Sequence, residues 1–296
     1  MFILGAGAMS DYEFPIAWRL KENVINYFAP GQELRHLAIL EALGFSLEQL
    51  DRFREALRGS GQNSVDAFLE EQTEFLEIGI ATMSMVLIKC ERPENLYAQA
   101  DPSANWLRNL LVHMRGTKFN EFRNNQVSFV TFNYDRSLEY FLCRALANTF
   151  GKSEEESGEM LDDIPLIHLH GRLGFLPWQG EDARPYEPKI DAHAVQVCMR
   201  QVKVVNRNTE INAEQFGKAK ELLAAAERVY LLGVGFNNDN LSRLGIMELS
   251  DNKAKATGIG LRQREYDELH RRFGQKLEIR MESNCIDFLR DHVSWN

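Results

Sequence analysis

The sequence predicts an α/β protein with a Rossmann-like parallel sheet, helices on both faces and a large helical insertion. Short apolar segments alternate with helical patterns, which is typical of a parallel sheet covered on both sides. The segments at 127–132 and 228–232 are rich in Val, Phe, Tyr and Leu, as in buried parallel strands. A composition of 44% hydrophobic and 26% charged residues is ordinary for a globular protein. We expect one domain over residues 1–296, with the helical insertion at about 31–125.

Composition and charge exclude several classes of function. The net charge is −9, which argues against nucleic acid as a direct partner because phosphate contacts need Lys and Arg. The four cysteines form no C-x-x-C pair, so no metal is expected. The start of the chain lacks the basic segment of a secretory signal. The longest apolar run, 78–88, is far shorter than the ~20 residues of a membrane span. These features predict a cytoplasmic protein that does not enter a membrane.

The first strand meets a glycine turn almost at once. Gly5, Ala6 and Gly7 follow directly, and two glycines at this spacing let the backbone approach a pyrophosphate. A following helix would direct its first amides at the anion, with Ser10 or Asp11 as its cap. The third glycine of the dinucleotide fingerprint is missing, because Ser10 stands there. A tight strand–helix turn that needs glycine only for packing is the simpler alternative.

The helical insertion shows capping signals but no cluster of chemically reactive residues. Leucines recur at helical spacing from residue 34 onward. Ser46 and Gln49 match a capping box, and Asn63 or Ser64 is placed to cap the next helix. The insertion therefore offers no candidate catalytic residue.

The strand at 127–132 and the next strand both end in functional side chains. Asn133 and Asp135 follow the first, and His170 ends the second. Ligands of open α/β sheets bind beyond the carboxyl ends of the strands, so we expect Asn133 and His170 to meet across one pocket. Three alternatives stay open. Asn133 and Asp135 could only cap the following helix. His168, which projects to the same side as His170, could be the base instead, or both histidines could be core residues satisfied by hydrogen bonds.

A second glycine turn follows the strand at 228–232. Gly233 and Gly235 are followed by Asn237, one of several possible caps for the next helix. Two such turns favour a dinucleotide, which lies across two mononucleotide-like halves. The other segments are predicted as a polar loop at 152–163, a helix at 214–226, strands at 256–261 and 277–281, and a helix at 263–273.

Four motifs, in this order, resemble those of sirtuin-type proteins: GAGAMS at 5–10, TFNYD at 131–135, LHG at 169–171 and LLGVGF at 231–236. FPIAW, SVDAFLEE and GVGFNNDN make the chain more similar to the bacterial sirtuin-like NAD hydrolases of antiphage defence. The resemblance spans nearly the whole chain. Phe132 replaces the glutamine of sirtuin deacetylases, and their four-cysteine zinc ribbon is missing. These departures favour simple NAD cleavage over deacetylation.

The resemblance implies that NAD is the substrate and that nicotinamide and ADP-ribose are the products, with loss of cellular NAD during abortive infection. Asn133 would hold a ribose hydroxyl or the attacking water, since a carboxamide both donates and accepts hydrogen bonds. His170 would accept a proton, and Asp135 would hold the nicotinamide carboxamide. The pyrophosphate is assigned to Gly5, Ala6, Gly7 and Ser10, and the adenosine side to Gly233, Gly235 and Asn237.

Two further interpretations remain beside NAD hydrolysis. The domain could bind NAD or ADP-ribose as a sensor without cleaving it, or it could be an NAD-dependent deacylase. Related systems pair such a domain with an ATPase or an Argonaute, so the resemblance also implies a homo-oligomer or a partner defence protein.

Overall fold

The computed structural model describes residues 1–29, 34–97, 101–114, 116–204 and 213–295. Within these ranges, six strands form one sheet in which all neighbouring pairs are parallel. The strands are β1 (Phe2–Leu4), β2 (Phe129–Thr131), β3 (Leu166–His168), β4 (Val229–Leu232), β5 (Ala254–Thr257) and β6 (Leu277–Arg280).

The strand order is β3-β2-β1-β4-β5-β6. The chain builds outward from β1 to β3, then returns to the other side of β1 with β4. Phe2 of β1 is therefore in register with Phe129 of β2 on one side and with Tyr230 of β4 on the other. This is the doubly wound order, whose topological switch point lies between β1 and β4. The predicted fold class is confirmed.

Helices connect the strands and cover both faces of the sheet. They are α1 (Ala17–Tyr27), α2 (Leu34–Ala42), α3 (Leu47–Gly59), α4 (Val65–Glu71), α5 (Leu76–Ile88), α6 (Trp106–Met114), α7 (Ser137–Phe150), α8 (Glu154–Leu161), α9 (Ala192–Gln201), α10 (Ala213–Ala225), α11 (Asn238–Leu244), α12 (Gln263–Phe273) and α13 (Cys285–His292). No helix of the described ranges is both long and apolar enough to cross a membrane.

The alternation of side chains along β1 divides the core in two. Phe2 and Leu4 point into the larger cluster, which contains the buried residues of α1, α5, α7 and α13. Ile3 points into the smaller cluster with residues of α10, α11 and α12. Successive strand residues face opposite sides of a sheet, so three residues of β1 serve both cores. Helix α5 is buried along 78–88 and forms the centre of the helical insertion.

Several local predictions are confirmed. Ser46 and Gln49 form the predicted capping box at the start of α3, and Ser64 caps α4. Helix α12 has the predicted bounds. Strand β5 ends earlier than predicted, at Thr257, ahead of a turn in which Gly260 adopts a positive φ of 87°.

Two local predictions are wrong. The segment 152–163 contains helix α8, whose N-terminus is closed by a capping box between Ser153 and Glu156. The acidic first turn of this helix faces its positive dipole end, so the charges favour a helix over the predicted loop. The first glycine turn leads into a 3₁₀ helix over Ala6–Tyr12, and Ser10 does not cap it, since its hydroxyl donates to the carbonyl of Gly7.

Candidate functional site

The two glycine turns pack directly against each other at the switch point. The amide of Gly5 donates to the carbonyl of Leu232, and the amide of Gly7 donates to the carbonyl of Gly233, each at 2.9 Å. A Cβ on Gly5 would lie 2.5 Å from the carbonyl oxygen of Gly233. Gly233 has a φ of 60°, and a Cβ there would lie 1.9 Å from the amide nitrogen of Ala8. This contact alone requires glycine at these positions.

The packing of the turns bears on the predicted pyrophosphate site. The amides of Gly5 and Gly7 are both used between the two turns, and the exposed Ser10 hydroxyl is bonded to the carbonyl of Gly7. Ala6 lies between the two glycines and is half-buried. The simpler alternative, glycine for packing, thus accounts for the turn, while pyrophosphate binding at these residues stays a prediction.

The second turn offers more room around its later glycine. A Cβ on Gly235 would meet no atom within 4 Å. Asn237 caps α11, with its side-chain oxygen accepting from the amides of Asp239 and Asn240. Gly233 is enclosed by the first turn, whereas Gly235 and Asn237, the other residues predicted on the adenosine side, are exposed.

Asn133 connects the end of β2 to the first glycine turn. Its side-chain Nδ2 donates to the carbonyl of Gly5 at 3.1 Å, and its amide donates to the hydroxyl of Thr131. The residue is 9% exposed. Among the described residues nothing donates to its side-chain oxygen. Asn133 therefore has a fixed carboxamide with an available acceptor at the carboxyl edge of the sheet.

Asp135 acts at the start of α7. Its Oδ1 accepts from the amide of Ser137 at 3.0 Å, as the capping alternative predicts. Burial of the carboxyl group raises its pKa to about 6, and the neighbouring Glu139 adds to the rise. Asp135 is thus a buried acid that changes protonation just below neutral pH.

A small buried cavity lies beside Asn133 and Asp135. Its volume is about 10 Å³, the scale of a single water. The lining includes His168, but not His170. The remaining residues around it are Leu4, Met9, Phe129, Thr131, Leu138, Glu139 and Leu166.

His168 bridges two acceptors. Its Nδ1 lies 3.0 Å from the carbonyl oxygen of Asn133, and its Nε2 lies 2.8 Å from Oε1 of Glu139. Burial opposes ionisation of Glu139, but His168 and Arg172 together hold its pKa below the usual range. Both ring nitrogens of His168 are therefore engaged with groups of the protein itself, the backbone carbonyl of Asn133 and the carboxylate of Glu139. This arrangement favours a positioning role for His168.

His170 lies among aromatic side chains at the same carboxyl edge of the sheet. Its ring centroid lies 5.9 Å from that of Phe132, 6.4 Å from Tyr134 and 6.1 Å from Phe216. Burial lowers the pKa of His170 to about 4; the charge of Asp66 opposes this shift and that of Arg243 adds to it. The imidazole is therefore neutral at pH 7 and keeps a nitrogen that accepts hydrogen bonds.

Gly171 allows the chain to turn away immediately after His170. Its φ is 71°, and a Cβ there would lie 1.9 Å from the carbonyl oxygen of Gln201. The carbonyl of His170 accepts from the amide of Lys203 at 2.9 Å. These contacts with the end of α9 fix the backbone that carries the imidazole.

Asn133 and His170 follow neighbouring strands at the same edge of the sheet, but they contact different residues. The carboxamide of Asn133 is bonded to the turn after β1, whereas the ring of His170 packs against Phe216 of α10. The predicted convergence of these two side chains on one sugar therefore stays a prediction that depends on a bound substrate.

A hydrogen bond between the helical insertion and this edge was not revealed by the sequence. The hydroxyl of Tyr134 donates to Oδ1 of Asp66 in α4. Burial raises the pKa of Tyr134 well above its ordinary value, so the hydroxyl keeps its proton. Asp66 lies in the first turn of its helix, where acidic residues are common, and that position gives no sign of a link to residue 134.

A buried charge cluster next to Asp135 was also missed. Arg136 donates through Nε and Nη2 to the two carboxylate oxygens of Glu91, at 2.9 and 2.7 Å. Arg184 donates to the same carboxylate. The side chains of Arg136 and Glu91 are fully buried. Further hydrogen bonds from Arg136 to the carbonyls of Phe175, Arg184 and Pro185 leave the guanidinium well satisfied.

Comparison with known proteins adds no assignment. No protein-family model matches the chain, and no curated protein matches it. Within the described part of the chain, no group of three or more His, Cys, Asp or Glu residues is arranged to hold a metal ion. The resemblance to sirtuin-like proteins stays a prediction from the motifs.

Proposed function

We propose that the protein hydrolyses NAD+ to nicotinamide and ADP-ribose. The observation that carries the proposal is the placement of Asn133 and His170, which follow neighbouring strands at the carboxyl edge of a doubly wound sheet. Dinucleotides bind at this edge of such sheets, next to the switch point. In this protein the switch point is formed by the two glycine turns that contact Asn133 through Gly5.

The reaction needs a positioned nucleophile more than an acid. Nicotinamide leaves NAD+ as a neutral base, while positive charge grows on the ribose. A fixed acceptor at the reacting sugar stabilises that charge and orients a water or a ribose hydroxyl. The carboxamide of Asn133, held by Gly5 with its oxygen available, has the properties this role requires.

A neutral imidazole suits the second role. With a pKa of about 4, roughly one in a thousand His170 side chains carries a proton at pH 7. A cationic ring here would repel both the nicotinamide and the developing oxocarbenium ion. We assign His170 as the acceptor of a hydrogen bond from a ribose hydroxyl or from the attacking water. Asp135 would add the contact to the nicotinamide carboxamide while it continues to hold the start of α7.

The test is mass spectrometry of NAD+ incubated with the purified protein. We expect equal amounts of nicotinamide and ADP-ribose, and a loss of at least ~10²-fold in rate for Asn133→Ala and for His170→Ala. His193→Ala is the matched control, because this histidine is exposed on α9. Full turnover in both site variants would refute the proposal.

A second candidate is a nucleotide sensor that binds NAD+ without cleaving it. It is favoured by the structural contacts of the predicted catalytic side chains, since Asn133 bonds the first glycine turn and Asp135 bonds the start of α7. Calorimetry followed by mass spectrometry of the recovered ligand separates the two. Tight binding with the nicotinamide bond intact supports the sensor, whereas released nicotinamide supports the hydrolase.

A further inference from the structure

Arg243 places a positive charge beside the aromatic side chains that surround His170. It belongs to the last turn of α11, and its guanidinium carbon lies 4.0 Å from the centroid of the Phe216 ring. The same ring lies 6.1 Å from that of His170. Phe216 therefore has the guanidinium and the imidazole as neighbours, and Arg243 is part of the immediate surroundings of the proposed site.

The other arginines near this edge are paired with carboxylates. Arg136 and Arg184 share Glu91, and Arg172 lies 3.9 Å from Oε1 of Glu139. Arg243 differs from them: in the ranges that the structure describes, it forms no ion pair and donates no hydrogen bond. A guanidinium held on an aromatic face keeps its N–H groups available at its edges, in the fork that matches a phosphate.

The neighbouring elements point to an anion as the missing partner. The amides of Gly5 and Gly7 are used between the two turns, so the first turn leaves its two glycine amides unavailable to a pyrophosphate. Helix α11 begins directly after the second turn, where Gly235 borders open space. A cation on this helix is well placed to take over the recognition of phosphate.

We propose that Arg243 binds a phosphate group of a nucleoside diphosphate whose ribose lies against His170. The inference rests on the proposed function for the identity of the nucleotide, and it goes further by assigning the anion to α11 and not to the first glycine turn. The Phe216 ring supports the guanidinium at 4.0 Å, and the charges of Asp66 and Arg243 act on His170 in opposite senses.

The test is calorimetry of wild type and Arg243→Gln with three probes: ADP-ribose, inorganic pyrophosphate and adenosine. We expect Arg243→Gln to weaken the binding of ADP-ribose and of pyrophosphate by about 10- to 100-fold, the scale of a charge-assisted hydrogen bond. The affinity for adenosine should not change. Arg243→Lys, which keeps the charge without the fork, should lose less. Arg264→Gln is the matched control, because Arg264 is 91% exposed and pairs with Glu268 within α12.

A second measurement tests the proximity of Arg243 to His170 without any ligand. The charge of Arg243 helps to lower the pKa of His170, so Arg243→Gln should raise the pKa of this imidazole in an NMR titration, whereas Arg264→Gln should not. Thermal unfolding confirms that the variants are folded. Pyrophosphate binding that depends on Arg243, together with intact NAD+, would support this inference and refute the hydrolase. Equal affinities of wild type and Arg243→Gln for both phosphate probes would overturn it.

Discussion

The imidazole of His168 donates from Nδ1 to the backbone carbonyl of Asn133, 3.0 Å away. The side chain of Asn133 in turn reaches the carbonyl of Gly5. His168, the alternative candidate for the base, thus holds the backbone of Asn133, and Glu139 holds His168. In our proposal, His168 positions Asn133 and His170 faces the substrate.

The first prediction concerns this link. His168→Leu removes both donors and leaves the carboxylate of Glu139 buried without its main partner. We expect a loss of about 3–5 kcal/mol in the free energy of unfolding, the usual cost of breaking a buried ion pair from one side. Urea denaturation measures it. The double variant His168→Leu with Glu139→Leu should recover part of the loss, and a single variant as stable as wild type would show that the pair is not ionised.

The second prediction concerns stability in acid. The pKa of His170 is lowered from 6.5 to about 4, so the unfolded chain takes up a proton first and stability falls as pH drops from 6.5 to 4. The pKa of Asp135 is raised from 3.8 to about 6, so the folded chain takes up a proton first and stability rises as pH drops from 6 to 4. Each contribution amounts to about 3 kcal/mol, and the two oppose each other.

Single variants should expose the two opposing contributions. Asp135→Asn retains only the contribution of His170. The stability of this variant should therefore fall more steeply than that of wild type between pH 6 and pH 4. His170→Gln retains only the contribution of Asp135. This variant should therefore gain stability relative to wild type as the pH drops over the same range. Denaturant titrations at pH 7, 6, 5 and 4 measure both slopes, and parallel curves for all three proteins would contradict the assignments.

The third prediction uses two glycines of the same turn. Gly233→Ala places a Cβ 1.9 Å from the amide nitrogen of Ala8 and forces an alanine to a φ of 60°. We expect it to lower the free energy of unfolding by more than about 2 kcal/mol, because both the contact and the backbone are strained. Gly235→Ala is the control, since its Cβ would enter open space. Thermal unfolding that does not distinguish the two variants would show that the turns do not pack as described.

The fourth prediction concerns the buried charge cluster. Glu91→Gln keeps the shape of the side chain but removes the charge shared by Arg136 and Arg184, whose side chains are 0% and 4% exposed. We expect a loss of about 3–5 kcal/mol. Glu154→Gln is the control, because its pair with Arg144 is partly exposed and should change stability by less than about 1 kcal/mol. Comparable urea midpoints for the two variants would refute the importance of the cluster.

The sequence predicted the elements whose signals are local. Buried strands followed by glycine turns predicted the Rossmann-like parallel sheet, and the Ser46–Gln49 box marked the start of α3. The same capping pattern is present at Ser153 and Glu156, but an acidic run is equally typical of a solvated loop, so the local pattern does not predict α8.

Contacts between distant residues lay outside the reach of sequence reasoning. Nothing around Gly5 shows that its missing side chain faces Gly233, and nothing around Glu91 shows that Arg136 and Arg184 will meet there. The proposed roles of the two histidines depend on their surroundings, which are two acceptors for His168 and aromatic rings for His170. These features follow from the crossing of the chain over the sheet, which a local pattern does not encode.

The Tyr134–Asp66 hydrogen bond and the Glu91 cluster attach the insertion to the segment directly after β2. A shortened chain in which a brief linker replaces residues 34–124 would keep every strand, yet it would strip Tyr134 of its acceptor and leave two guanidinium groups without their counter-charge. The strands therefore do not constitute a minimal folding unit, and efforts to trim this protein should start elsewhere.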